Sequence, residues 1–360
     1  MSVESRYRVG MAQYMLQNYD AATAAFAGSL AIAPQDDDMY IADVYWLVLS
    51  QLRAGQADEA QKTFQQHYRP DMYVGHHTAY EKAMRVAAAG FAPMEDMLAE
   101  LDYSHIPNFD LIADTYKNLS YDPENRYTVP YTWGTLGIIY NTTMVSQPIT
   151  SWSAMFDPQY AGQVLMINNS RDALAAALLY LGYSINTTDE SQLEEAFALL
   201  KQAKDNGVYQ AFVMDEVFQK MEGGNAAVAM YYAGDYLTML ENNEDLAFVV
   251  PEEGSNWFVD AMCILKSSQH MSEAEEWINF IASTKANLAN MDYIWYASPN
   301  GEALEEYPAY YEEVNEEPLD PEIYEIMAPS EEVLRRCEIY ENLPAETLRL
   351  YDRLWTRLGV

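Results

Sequence analysis

Cysteine is nearly absent: Cys263 and Cys337 are the only two in 360 residues, too few for a disulfide framework or a thiolate zinc site. Cys263 sits in the apolar run Ala261–Leu265 and reads as an inert buried thiol; a single disulfide between the pair stays open. Basic residues are also scarce. Twenty Lys and Arg face 55 Asp and Glu, giving a formal net charge of −35. A nucleic-acid binder needs a basic surface to displace counterions, and docking on anionic lipid needs one too, so the balance argues against both. It is compatible with a cationic ligand and equally with plain solubility.

Long apolar runs are missing as well. No stretch approaches the ~18 consecutive apolar residues of a membrane span, and the most apolar helix-like run, Ala173–Leu181, falls far short. Met1–Arg6 lacks a basic start followed by an apolar core, so the chain as written shows no export signal. Catalytic signatures are absent too: there is no G-x-S-x-G, P-loop, G-x-G-x-x-G or H-E-x-x-H. Of the five histidines (His67, His76, His77, His105 and His270) only one pair is adjacent, and chain neighbours point apart, so no metal pair is expected. Residues 286–334 contain no Lys or Arg, and the doublets Glu312-Glu313 and Glu316-Glu317 read as solvated surface. Glycoside chemistry needs separated carboxylates instead. Neither an enzyme nor a cofactor is expected.

What is present is a folding chain: half the residues are apolar and 13% are aromatic. Ser5–Gly90 reads as helices with a faint repeat. Gly10, Ala22, Phe26 and Pro34 mark one unit, and Ala60 and Phe64 repeat its Ala-x-x-x-Phe pair. Small residues let paired helices approach, and the Phe four positions on fills the gap. The segment is similar to tetratricopeptide repeats, which would imply a protein partner on a concave face; an ordinary helical hairpin explains the spacing equally well. Two units are fewer than the three or so that stand alone, so the block should pack on something else. After Gly90, strand-like runs (137–140, 163–167, 226–231, 246–250, 259–265) alternate with helix-like segments (170–181, 190–203, 216–221, 233–241, 271–283). That texture predicts an α/β architecture with buried sheets.

The second part of the chain carries a recognisable series of motifs. They are Leu101–Asn108 (LDYSHIPN), Asn118–Asn125 (NLSYDPEN), Tyr127–Asn141 (YTVPYTWGTLGIIYN), Ser151-Trp152 with Asp157-Pro158, Leu181–Asp189 (LGYSINTTD), Pro251–Gly254 (PEEG), Val259–Ala261 and Pro299-Asn300. In this collinear order, from about Met94 to Val360, the chain resembles the polyamine-binding proteins, the spermidine/putrescine solute receptors of bacterial ABC importers. The resemblance implies a two-lobe, type II periplasmic-binding-protein-like fold that closes over its ligand about a two-strand hinge. It also implies an ABC importer permease as docking partner and a periplasmic or extracytoplasmic location. The expected organisation is a helical segment over 1–90, a first α/β lobe from 91–136 plus 260–306, and a second from 137–259 plus 307–360. The match begins near Phe91, so the family's opening strand, helix and strand find no counterpart. The first lobe should therefore be incomplete, with sheet edges exposed unless something covers them.

A polyamine offers one positive charge per amine on an apolar stem, so its site wants carboxylates at the ammonium groups and aromatic faces along the methylenes. Carried over position by position, the resemblance makes Asp260 the carboxylate that grips an amine and Asp172 a second acidic contact. It places Phe258, Tyr232 and Tyr296 at aromatic positions and Tyr340 near a polar contact. Asn169 stands where an aspartate is common, and Phe258 and Tyr232 where tryptophans are, which removes one charge and weakens cation–π stacking. The missing opening segment would also take aromatic and serine contacts from the first-lobe side of the pocket; losing two buried aromatic or charged contacts, at ~1–3 kcal/mol each, weakens affinity by orders of magnitude. The leading reading is a receptor for putrescine or spermidine, weakened by these losses. The alternatives are an interaction scaffold that uses the helical repeats and no longer binds ligand, and an artefactual join near Gly90.

Overall fold

A computed structural model of the chain describes residues 2–34, 38–69 and 97–360. The expectations for residues 70–96, which include His76, His77 and the junction near Gly90, lie outside the described residues. The chain divides into two compact units, Met1–Leu98 and Ala99–Val360.

The first unit contains α1 (Val3–Met15), α2 (Tyr19–Leu30), α3 (Asp38–Arg53) and α4 (Ala57–His67), each packed on the next. The repeat-like residues mark the helix contacts. Ala22, Phe26, Ala60 and Phe64 are buried, and Gly10 lies so close to Phe26 that a Cβ there would stand 2.7 Å from the ring. These are the contacts of packed helical hairpins, and they do not single out a tetratricopeptide repeat.

The second unit is built on one long strand, β1 (Thr128–Asn141). With β2 (Val164–Ile167), β3 (Tyr209–Val213), β4 (Val228–Tyr232) and β5 (Leu246–Val249) it forms a sheet of order β3-β2-β4-β1-β5. The strand β6 (Trp257–Cys263) joins β1 outside that path. β2 runs parallel to β3 and β4, whereas β1 is antiparallel to β4, β5 and β6. The mixed α/β texture expected from sequence is therefore present, but the strand expected at 137–140 is much longer. Its extension passes through Pro130, where the ladder shifts register between Pro130 and Thr132 because proline supplies no N–H.

β1 serves two layers in succession. Residues Thr128–Thr135 pair with β6, and Leu136–Asn141 pair with β4 and β5. Gly137 lies at the changeover: a Cβ there would stand 2.5 Å from the Val249 carbonyl oxygen. The five-stranded part is covered by α5 (Ser170–Tyr180), α6 (Glu190–Asp205), α7 (Glu216–Glu222), α8 (Ala233–Leu240) and the C-terminal α14 (Ala345–Leu358). Leu350, Leu354 and Leu358, four residues apart, are buried along one stripe of α14.

Among the described residues the core around the β1/β6 ribbon is much smaller. Leu101, Ile106, Val129, Ile264, Ile278 and Ala282 form it, with α9 (Met271–Ile281) packed on the segment that precedes β1. Buried Glu275 of α9 accepts the Asp102 N–H at 2.9 Å and pairs with His105 at 2.7 Å. Asn279 holds Asn108 by two further bonds. Among the described residues β6 pairs in a ladder only with β1. The expectation for Cys263 fails here: both cysteines are free, and Cys263 is exposed at the end of β6. An apolar run on a strand with one neighbour does not bury every side chain. The remaining helices, α10 (Thr284–Ile294), α11 (Gly301–Asn315), α12 (Pro321–Met327) and α13 (Glu331–Leu334), lead back toward α14.

The entry to β1 depends on one carboxylate. Buried Asp122 accepts the N–H groups of Arg126, Tyr127 and Thr128 at 2.9 Å each, and the Thr128 hydroxyl at 2.8 Å. Asn118 and Asn125, both at positive φ, hydrogen-bond each other across the same turn. Asp122→Ala leaves several buried donors without an acceptor and should lower the unfolding free energy of the full chain by about 2–4 kcal/mol. Urea denaturation followed by tryptophan fluorescence measures it; a change under about 0.5 kcal/mol contradicts this account of the turn.

Candidate functional site

All seven residues singled out from sequence line one cavity of about 520 Å³: Asn169, Asp172, Tyr232, Phe258, Asp260, Tyr296 and Tyr340. Arg171, Asp235 and Asn256 join them. The cavity opens where two helices start and where β6 leaves the changeover. Asn169 is the N-cap of α5, its side chain accepting the Arg171 N–H at 2.9 Å and the Asp172 N–H at 3.4 Å. Asp172 lies in the first turn of that helix. Tyr232 ends β4 and caps α8, whose first turn carries Asp235. Phe258 and Asp260 are two residues apart on β6, so both project from one face of the ribbon.

Each of the three carboxylates is held by hydroxyl groups. Asp172, 3% exposed, accepts the Tyr340 hydroxyl at 2.8 Å on one oxygen and the Tyr232 hydroxyl at 3.3 Å on the other. Asp235 accepts the Tyr296 hydroxyl, and Asp260 accepts the Thr132 hydroxyl at 3.1 Å. Among the described residues none of the three forms an ion pair. Burial raises all three carboxyls above the usual range, most legibly at Asp235, which is pushed up to about 6. At Asp172 the two tyrosine hydroxyls and then Arg171 oppose that rise, and at Asp260 the Thr132 hydroxyl does. The phenols of Tyr232, Tyr296 and Tyr340 are pushed far above their ordinary value by burial and by the adjacent carboxylates, so all three remain hydrogen-bond donors.

Arg171 does not neutralise its neighbour Asp172 by direct pairing. Its guanidinium lies 4.2 Å over the Tyr340 ring and 5.6 Å from the Tyr351 ring, and one nitrogen reaches Asn186 Oδ1 at 3.3 Å. Adjacent in sequence, Arg171 and Asp172 thus form no direct pair, and the cap of the helix they begin is Asn169.

The aromatic wall is a corner of three rings. Tyr232 meets Phe258 edge-on at 5.4 Å, and Phe258 meets Tyr296 at 6.2 Å. Tyr296 follows Trp295, which ends α10 in the left-handed conformation at φ 58° and so turns the chain into the cavity. Two glycines make room for its ring. A Cβ on Gly134 would stand 3.2 Å from it, and one on Gly234 only 2.4 Å. Trp257, next to Phe258, packs edge-on against Tyr116 at 6.3 Å and does not line the cavity.

Sequence reasoning missed Asp235 and Asn256. A signal for Asp235 was available: an acid just after Tyr232, in the first turn of a helix that begins where a strand ends. Asn256 left no such trace; it is buried, and its Oδ1 has no hydrogen-bond partner among the described residues. No group of three or more His, Cys, Asp or Glu is placed to hold a metal among the described residues. Gly234→Ala should displace the Tyr296 ring. The expected result is a melting temperature lowered by several degrees and weaker protection of Tyr296 from modification by tetranitromethane; an unchanged protein on both counts removes the claimed close approach.

The profile of the family described as bacterial extracellular solute-binding protein matches residues 70–311. The putrescine-binding periplasmic protein SpuD of Pseudomonas aeruginosa is 30% identical over 278 residues, covering 72% of each chain. The spermidine/putrescine-binding periplasmic protein of Escherichia coli is 30% identical over 207 residues, 57% of this chain and 59% of the relative. A putative spermidine/putrescine ABC transporter structure from Listeria monocytogenes superposes with a TM-score of 0.66 at 34% identity, over 74% of this chain and 79% of that one. The substrate-binding protein PotD of Streptococcus pneumoniae gives 0.64 at 33%, over 73% and 78%. No described helix is long and apolar enough to cross a membrane. On the extent of that profile match and these identities, the chain belongs to the bacterial extracellular solute-binding proteins, a family of receptors and not of enzymes.

Proposed function

We propose that this chain binds a polyamine of the putrescine or spermidine class and presents it to the permease of an ABC importer. The observation that carries the reading is a cavity with three carboxylates, Asp172, Asp235 and Asp260, against the rings of Tyr232, Phe258 and Tyr296. A hydroxyl donor orients a carboxylate without cancelling its charge, so the cavity keeps negative charge for a cation. The rings supply the apolar faces that methylenes and cation–π contacts need. Asn256 borders the cavity with a side-chain oxygen that has no partner among the described residues, buried in the unliganded chain. Asp172 accepts two phenols already, so its contribution passes in part through Tyr232 and Tyr340, whose oxygens keep lone pairs for an amine.

The proposed lobes follow the division of β1. Residues 91–136 plus 260–306, of which 91–96 lie outside the described residues, make the first and 137–259 plus 307–360 the second; the second crossing, at 259/260, falls within β6, and the first lies at the change of partners, where Leu136 meets Asn256. There the Leu136 N–H donates to the Asn256 carbonyl at 3.0 Å, and the Ser255 hydroxyl donates to the Leu136 carbonyl at 2.6 Å. The scaffold alternative draws no support from the family match, and the helix packing of the first unit favours no particular protein partner.

Calorimetric titration of the full chain with putrescine and spermidine tests the reading. Binding of either is expected, with Asp260→Asn weakening it about tenfold or more, equivalent to about 1.4 kcal/mol. No heat and no thermal shift at millimolar amine would sink it.

The pH dependence has two opposite signs. Asp235 titrates in the empty folded protein at about 6, above an unfolded aspartate at about 3.9. Its contribution to folding stability is full below about pH 4 and is lost as pH rises through about 6. Amine binding needs the ionised form, so affinity should rise over that same interval. Asp235→Asn is expected to raise the melting temperature of the empty protein at pH 7 and to flatten the pH dependence of affinity between pH 5 and 7. Thermal melts of the empty protein at pH 7 check the first and ligand titrations at several pH values the second; an affinity independent of pH in the unsubstituted protein contradicts the role given to Asp235.

A further inference from the structure

We propose that residues Arg336–Glu341 form a strap that couples the cavity to the strand changeover, carrying the state of the Tyr340–Asp172 hydrogen bond to the backbone at Ser255–Trp257. At its far end the strap is bonded into the changeover itself. The Glu338 N–H donates to the Ser255 carbonyl at 2.9 Å, and the Trp257 N–H donates to the Glu338 carbonyl at 3.0 Å. Asn256 and Glu338 thereby form a parallel bridge. Close approach continues just before it: Gly254, at φ 93°, lies where a Cβ would stand 1.8 Å from the Arg336 carbonyl oxygen. The Arg336 guanidinium donates to the Val250 carbonyl at 3.2 Å.

At the cavity end the strap delivers Tyr340, two residues on from Glu338, to Asp172 at 2.8 Å. Between the ends it is held on both flanks. The Asn186 side chain donates to the Ile339 carbonyl at 2.8 Å and accepts the Glu341 N–H at 2.9 Å, so one amide straddles Tyr340. The Glu338 carboxylate accepts the Ser184 hydroxyl and the Ile185 N–H. Arg171 covers the Tyr340 ring.

The phenol is therefore fixed by backbone bonds on either side and by a stacked cation above. A displacement at its hydroxyl has little slack to absorb it before Glu338. Of the two residues that the Glu338 backbone bonds, Ser255 and Trp257, Ser255 also holds Leu136 of β1 through its Oγ, and Asn256 between them accepts the Leu136 N–H on its carbonyl. A continuous path thus runs from Asp172 through the Tyr340 hydroxyl, along the backbone from Tyr340 to Glu338, and by hydrogen bonds through Ser255 to the point where β1 changes layers. Coupling of this kind is a physical claim only if perturbing one end changes the other.

The experiment is hydrogen exchange of the full chain, read on peptides spanning 255–258 and 337–340, with peptides from β2 and β4 as internal control. Tyr340→Phe keeps the ring and its stacking and removes only the hydroxyl. Without any amine it is expected to speed exchange at both strap peptides by about tenfold, with the control peptides unchanged. Unchanged exchange at 255–258, or equal acceleration in the controls, overturns the coupling. A second arm rests on the amine-binding reading. Putrescine should slow exchange at 255–258 in the unsubstituted chain and do so less in Tyr340→Phe. If putrescine has no effect while the unliganded variant behaves as expected, the ligand reading fails and the strap stands.

Discussion

One strand passing through two layers is the constraint on which the second unit depends. β1 keeps hydrogen bonding along its whole length, but its partners change near Leu136, from β6 to β4 and β5. The two layers therefore share covalent backbone, and any change in their relative direction must be taken up within a few residues of β1 and of the segment entering β6. Glycines at 134 and 137 suit that duty, one leaving space for Tyr296 and the other for the β5 backbone. The asymmetry of the cores follows from the same arrangement. The five-stranded side buries a large cluster, and the ribbon side rests on a small one anchored by the polar clasp of Glu275 with Asp102 and His105.

The cavity shows how an acidic protein concentrates usable charge. Most of the −35 is spread over solvated surface, where counterions screen it. The three cavity carboxylates differ in their partners, which are phenols and a threonine; Asp172, buried, and Asp235, half-buried, are also kept from screening by water, while Asp260 stays exposed. The raised carboxyls are the thermodynamic sign of that arrangement: the empty site is less comfortable ionised than an exposed aspartate would be. A cation relieves the discomfort, so stability withheld from the empty protein becomes available to its complex.

Much of the fold was legible in the sequence because alternation of apolar runs and amphipathic stretches reports buried strands and covering helices. The motifs were legible too, but their roles were not. Asn118–Asn125 and Leu101–Asn108 identify the family resemblance, yet in the structure they build the turn into β1 and the clasp on α9, and none of them reaches the cavity. The site residues came from carrying positions over; Asp235, an acid in the first turn of a helix that follows a strand, offered a signal, but one shared by many ordinary helix starts, and β4 and α8 give it meaning by bringing it beside Tyr296. Cys263 was misjudged for the complementary reason: apolar composition reports what a strand could bury, and the number of neighbouring strands decides what it does bury.

Asn169 has a consequence for how this receptor can change over generations. Its side chain performs a folding task, capping α5 through an acceptor oxygen, and asparagine and aspartate do that almost equally well. Its other face belongs to the cavity, where the two residues differ by a full charge. The helix cap is therefore nearly indifferent to an exchange between the two, while the cavity is not: a carboxylate here would add charge for a cation and, in the empty protein, repulsion toward Asp172. A single exchange can retune the receptor without disturbing the cap, which makes Asn169 a natural dial between a tight receptor and a loose one.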